Sequence, residues 1–222
     1  MDYQQGEPLR AFITRNGSRR TMTRHSRFHR AGKKLSHVLL LEDGWVARLR
    51  TDEDGMSAFM ALHMAGDVVG ADAFAEPVED ELVALTEIRV MELPLNVLRD
   101  QAAASPSLAL SLASLLATET VFLREALFAV GRQPSDARLC TFFLQTFYRL
   151  VAAGLADPES RRFDLPLNQS ELASAVGLTS VHVSRIIRVL RERGWLEFHG
   201  GRVHLLNIEA VQRHSQLTLW AH

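Results

Sequence analysis

Apolar residues recur along this chain in two rhythms, and the change falls near Pro106. Before it, short apolar runs broken by turn residues predict strands. These are Val38 to Leu41, Val46 to Leu49, Ser57 to Met64, Asp67 to Val69 and Leu82 to Leu93, punctuated by Gly44, Asp54-Gly55 and Gly66. Such a series implies a compact antiparallel barrel. From Ser107 to Val130 the period becomes helical, with no internal glycine or proline. Leu108, Leu112, Leu115, Phe122, Ala126 and Ala129 follow a 3–4 spacing, while Leu116, Leu123, Leu127 and Val130 fill an adjacent stripe. A helix apolar on two faces needs two partners. One face is expected to cover the barrel. The other is expected to meet its twin in a coiled-coil-like homodimer, with Leu108, Leu112, Leu115, Phe122 and Ala126 at the seam. Glu119 falls on that seam, so either it reaches the edge or the register shifts.

Gly131, Pro134 and Ser135-Asp136 read as a hinge, with Ser135 or Asp136 capping a helix from Ala137 to Val151. Leu139, Phe142, Phe143, Phe147 and Leu150 would make much of a second core, with Cys140 a small buried hydrophobe among them. A loop from Gly154 to Pro166 follows.

The densest signals lie from Leu167 to Leu206, in LNQSELASAVGLTSVHVSRIIRVLRERGWLEFHGGRVHLL. Asn168 with Glu171 suits a capping box, and Leu172 and Val176 are the buried positions of a short helix. Gly177 stands where the chain must leave that helix in a left-handed conformation. Thr179 or Ser180 then caps a second helix, which Gly194 ends. Two short strands around Gly200-Gly201 predict a hairpin. In the second helix Val183, Ile186, Ile187 and Leu190 fall at i, i+3, i+4 and i+7 and must pack inward. The opposite face carries Ser180, Val181, Ser184, Arg185 and Arg188, small or cationic. A helix slim and positive on its outer side fits a DNA major groove.

This segment resembles the C-terminal domain of the Crp/Fnr transcription regulators, the relatives of the cyclic-AMP receptor protein and the fumarate-nitrate regulator. The motifs that carry the resemblance are NQSELASAVGLT, VHVSR and GWLEFHGGRV. Upstream, LLLEDGWVARLR, DGMSAFMALHMAGDVVGADAF and ALTEIRVMELP are similar to the β-roll of that family, and AVGRQPSDARL to the join from its dimer helix. The resemblance implies an α+β chain. Its parts would be an N-terminal antiparallel β-roll of the cyclic-nucleotide-binding type (residues 1–105), a long dimerisation helix (106–131) and a C-terminal winged helix-turn-helix (132–222). It implies a homodimer on a pseudo-palindromic double-stranded DNA site. Ser180, Val181, Ser184 and Arg185 would read bases, and Gln169, Ser170, Thr179, His182, Arg188 and Arg202 would hold phosphates. RNA polymerase and a small-molecule effector are the further candidate partners.

Composition fits this picture. The chain has 222 residues, 47% of them hydrophobic, enough for two modest cores. A single cysteine rules out an internal disulfide and, with it, a cysteine-ligated iron–sulfur cluster. No unbroken apolar run has membrane-spanning length, and MDYQQGEPLR lacks a signal-peptide core, so a cytoplasmic protein without a membrane partner is expected. Charge is segregated. Residues 1–34 hold nine Lys/Arg against two acids, residues 35–130 five against sixteen, and residues 131–222 eleven against eight. The N-terminal cations (Arg15, Arg19, Arg20, Arg24, Arg27, Arg30, Lys33 and Lys34) read as a solvated face that offsets the acidic middle, in the same subunit or its twin, with contact to nucleic acid or an acidic partner as the competing reading.

The effector and enzyme readings are mostly exclusions. Family members that bind cyclic AMP place a carboxylate and an Arg-Ser pair after the GDxxG turn. Here GDVVG is followed by Ala71, Asp72 and Ala73, and acidic Glu79 to Leu82 replaces the pair. A phosphate would meet carboxylates, which Coulomb repulsion disfavours. Asp72 could at most recover the ribose contact. His37 and His63 are weak haem candidates and His199 with His204 an incomplete metal pair, so no cofactor or metal is expected. No HExxH, G-x-S-x-G or phosphate loop marks an enzyme. The competing function is a ligand-binding or protein-interaction module whose helix-turn-helix no longer docks on DNA.

Overall fold

The computed structural model describes residues 6–55, 57–74 and 79–215. The chain divides into two compact units, one ending at Phe122 and the other beginning at Leu123. The division falls inside the long helix rather than at its ends.

The first unit opens with a helix that the strand pattern did not announce, α1 (Glu7–Asn16). Residues 1–5 of the N-terminal stretch lie outside the described residues. Among the described residues eight strands follow: β1 (Ser18–Met22), β2 (Arg27–His29), β3 (His37–Asp43), β4 (Trp45–Thr51), β5 (Ser57–Met64), β6 (Val68–Val69), β7 (Glu81–Ala84) and β8 (Ile88–Pro94). They form two antiparallel four-stranded sheets in the orders β1-β8-β3-β6 and β2-β7-β4-β5. The expected run from Leu82 to Leu93 is therefore two strands in different sheets, parted at Leu85–Glu87.

Alternation explains why β3 is apolar throughout. Leu39 and Leu41 point into a core shared by both sheets, with Met22, Val46, Leu82 and Ile88. Val38 and Leu40 point the other way, into a second core closed by Leu9 and Ile13 of α1, Leu98 of α2 (Leu95–Ala104) and Leu108. β1 and β2, also unannounced, carry the N-terminal cations against strand carboxylates. Arg19 pairs with Glu42 at 2.9 Å, Arg20 with Glu92 at 2.9 Å and Arg27 with Glu81 at 2.8 Å. These three of the cluster's cations thus meet acids of the middle segment within one chain, though exposed pairs of this kind add little stability.

Helix α3 (Pro106–Arg132) runs straight through Gly131, so the hinge begins later, at Pro134. Its inward face takes in part of the expected seam. Leu108 is buried in the core of the first unit, with Leu112 and Leu115 packed against that core. Ser111 Oγ, also buried, accepts the Leu9 N–H at 3.2 Å. Phe122 is half-buried, and of the expected seam residues only Ala126 is exposed. The surface stripe is the adjacent one. Ala113, Leu116, Thr120, Leu123, Leu127 and Val130 recur at alternating steps of four and three, and Leu123, Leu127 and Val130 are exposed. Thr120 Oγ1 donates to Leu116 O at 2.8 Å, which satisfies the one hydroxyl on that line. By length and mean hydropathy (1.5 over its most apolar window) α3 would also pass for a membrane span.

The second unit contains α4 (Ser135–Ala152), β9 (Arg162–Asp164), α5 (Gln169–Val176), α6 (Ser180–Glu192), β10 (Leu196–His199), β11 (Arg202–Leu205) and α7 (Ile208–Ser215). Neither Ser135 nor Asp136 caps α4. Pro134 holds the cap position without a side-chain bond, and Asp136 instead accepts the Ala137 N–H and lies 2.9 Å from His214 Nε2. Leu139, Phe143, Leu144 and Phe147 are fully buried, with Cys140, while Phe142 sits at the margin. Part of the expected loop is a strand: β9 pairs with β11, giving the sheet order β10-β11-β9.

Candidate nucleic-acid interface

The pair α5–α6 is built by local chemistry. Asn168 Oδ1 accepts the N–H groups of Ser170 and Glu171, both at 2.9 Å, and Glu171 Oε2 accepts the Asn168 N–H at 2.7 Å, a complete capping box. Gly177 closes α5 at φ 65° and ψ 42°, the left-handed geometry a β-carbon would strain. Thr179, rather than Ser180, caps α6, its Oγ1 accepting the His182 N–H at 3.3 Å.

On α6 Val183, Ile186, Ile187 and Leu190 are all buried. Ser180, Arg185 and Arg188 are exposed on the far side and Val181 is 80% exposed, while His182 and Ser184 are half-buried. Gln169, Ser170 and Thr179 are also exposed, at the starts of the two helices. Ser184 Oγ donates to Gln169 Oε1 and to Ser180 O, both at 2.8 Å, so its single proton is committed within the motif. Arg185 is exposed, and Arg188 is only loosely associated with Glu192, at 3.9 Å.

The hairpin β10–β11 turns at Gly200 and Gly201, both at positive φ as a tight two-residue turn requires. Arg202 stands at the root of that turn with its side chain exposed, 3.7 Å from Asp164 on β9. Asp164 went unnoticed in the sequence because β9 did. Cys140 is fully buried, and burial pushes its thiol up to about 12, with Asp136 adding to the rise.

In the first unit, the turn after β6 departs from expectation. Strand β4 brings Arg48 inward, where its guanidinium grips Asp72 with two bonds and lies 3.5 Å from Asp80. Arg50 holds Asp80 from the other side at 2.7 Å. A cation is therefore present where only carboxylates were expected, and it is already held by two of them. Asp72 points to Arg48 and is not a free ribose anchor. Glu119 of α3 adds an attractive charge toward the same guanidinium. Sequence pattern could not have exposed this group, because Arg48 lies far from its carboxylates along the chain. Among the described residues no cluster of His, Cys, Asp and Glu has a metal-holding arrangement.

Comparison with known proteins bears on both units. The model of the Crp-like helix-turn-helix domain matches residues 137–214, and that of the cyclic nucleotide-binding domain matches residues 19–105. The chain is 24% identical over 183 residues to the anaerobic regulatory protein of Haemophilus influenzae, covering 82% of this chain and 70% of that one. It is equally similar, 24% over 183 residues, to the fumarate and nitrate reduction regulatory protein of Escherichia coli, covering 72% of that protein. Among solved structures, FixK2 from Bradyrhizobium japonicum superposes with a TM-score of 0.82 at 22% identity, over 91% of this chain and 98% of that one. A mutant of CooA from Carboxydothermus hydrogenoformans superposes with a TM-score of 0.73 at 17% identity, over 92% and 90%.

Proposed function

The chain belongs to the Crp/Fnr family of DNA-binding transcription regulators, and from that premise we propose that it works as a homodimer gripping a pseudo-palindromic site. Two copies of α6 would enter successive major grooves about 34 Å apart. The observation that carries this reading is the two-sidedness of α6. Its whole apolar face is buried, while Val181, Arg185 and Arg188 stand clear of the protein.

Arg185 is the base reader of greatest reach, since its fork can bond guanine O6 and N7 together. Val181 offers a thymine methyl a surface and offers a cytosine nothing. Ser180 and Ser184 act with them as small groups that let the backbone approach. Gln169, Ser170, Thr179, His182, Arg188 and Arg202 serve the phosphates, which sets register rather than sequence.

The dimer seam in this reading is the exposed ladder from Ala113 to Val130, not the stripe headed by Leu108. The same ladder accounts for the hydropathy of α3 without a membrane. Its apolar surface is a stripe at heptad spacing, with Arg124 and Glu125 on neighbouring faces, whereas a lipid-facing helix is apolar all round. The protein would act in the cytoplasm, with RNA polymerase as its partner at bound promoters. Any effector of the β-roll is not a cyclic nucleotide, because Arg48 is already paired.

A gel shift over a series of salt concentrations tests the reading. Each phosphate contact released by salt steepens the decline, so affinity for a selected site should fall by orders of magnitude between about 50 and 200 mM. No DNA affinity even at the low end would overturn it in favour of a module whose helix-turn-helix no longer docks.

A further inference from the structure

We propose that Arg138 is a positioning residue that pins the turn of the helix-turn-helix to the end of α3, and thereby sets which separation of DNA half-sites the protein accepts. The inference rests on the dimeric reading above. Arg138 lies in the first turn of α4. Its Nη1 donates to Val176 O at 3.1 Å and Gly177 O at 3.4 Å, and its Nη2 donates to Val130 O at 3.1 Å. Those three carbonyls belong to two helix ends. Val130 lies in the last turn of α3, and Val176 and Gly177 close α5.

Helix ends of this kind leave carbonyls unpaired and carry partial negative charge, so each attracts a cation. A planar guanidinium can serve two such ends at once, and a lysine ammonium, a point charge on a flexible stem, cannot hold the same geometry. The choice of Gly177 matters because its left-handed turn aims α6. A group bonded both there and to α3 couples the direction of the reading helix to the helix that carries the dimer seam.

A second fastener makes the first effective. Gln133, the residue after α3, donates from Nε2 to Ser215 O at 2.7 Å, and Thr141 Oγ1 donates to Gln133 Oε1 at 2.8 Å, all three residues being buried. The end of α3 is thus tied to α4 and α7 on one side and, through Arg138, to the α5–α6 turn on the other. Of these two ties, the Arg138 one bonds directly to the turn of the reading helix pair.

The test is a panel of palindromic operators whose half-sites are moved apart or together by single base pairs, measured with wild type, Arg138→Ala and Arg138→Lys. Wild type should bind one separation sharply best. Arg138→Ala should lose about tenfold at that separation, the scale of lost charge-assisted hydrogen bonds, and proportionally less at its neighbours, so that the profile flattens. Arg138→Lys should fall between. Thermal melting and light scattering establish that each variant is folded and dimeric; if Arg138→Ala is not, the profile of Arg138→Lys decides. Equal proportional loss at every separation, or a profile like that of wild type, would overturn the inference while leaving the dimeric reading intact. A wild-type protein with no preferred separation would overturn both.

Discussion

Ser184 on α6 donates its hydroxyl proton to Gln169 Oε1 across 2.8 Å, tying the reading helix to the first turn of α5. The bond has a direction, and the direction matters. With Oε1 occupied, Gln169 has its amide N–H pair left to donate outward, the polarity a phosphate oxygen needs. Ser184, its proton also shared with Ser180 O, can only accept from a base.

Ser184→Ala should therefore act through Gln169. We expect affinity for all DNA sequences to fall by a similar factor, about 1 kcal/mol, with the preferred motif unchanged. Quantitative binding to a library of half-sites measures this. A change confined to one base position would show that Ser184 reads a base directly.

Arg185→Ala should cost about 1–3 kcal/mol and relax preference at one base pair in each half-site. Beside it, Val181 should direct the selected motif toward a thymine. Binding-site selection with wild type and variant checks both, and an Arg185→Ala motif identical to that of wild type would sink the assignment.

Charge placed on the exposed ladder of α3 should break the dimer, since an unpaired charge is expensive to bury between two helices. Leu127→Glu, where the leucine is 74% exposed, should give folded monomers by light scattering. Leu112→Glu should instead lower the melting temperature, because Leu112 packs on the core of its own unit. A Leu127→Glu protein that remains dimeric would move the seam elsewhere.

Cyclic AMP and cyclic GMP should give no heat of binding at micromolar concentrations. Arg48 is held by Asp72 and Asp80 and Arg50 by Asp80, so a phosphate could reach either cation only by displacing those carboxylates. Saturable micromolar binding in calorimetry would contradict this account of the pocket.

Cys140 should be inert in the native protein. Burial pushes its thiol up to about 12, so at pH 8 the reactive thiolate is a trace species, and burial blocks reagents besides. A thiol-reactive dye should label it only after denaturation. Rapid labelling of native protein would mean that α4 opens readily.

The helix-turn-helix was legible because each of its signals is local. The bonds of Asn168 with Glu171, the left-handed Gly177 and the apolar face from Val183 to Leu190 all act within a few residues, and the sequence displays them side by side. The two rhythms around Pro106 separated barrel from helix for the same reason. The turn chemistry at Gly200-Gly201 likewise announced the wing.

What remained hidden depends on residues far apart in the chain. Two apolar stripes on α3 look alike in sequence, and only the arrival of Leu9, Ile13 and Leu98 decides that the one headed by Leu108 turns inward. Strands β1, β2 and β9 are short and largely polar, and β1 and β9 are exposed along much of their length, so they carry little alternation of their own. They exist because β8, β7 and β11 offer them backbone partners. Arg48, Asp72 and Asp80 are ordinary charged residues until β4 and the β6–β7 connection bring them together. The sequence by itself determined the elements and the character of the reading helix, since hydrogen bonds and side-chain period within a helix are local. Tertiary structure alone decided which face meets which, because burial is a property of the partner as much as of the residue.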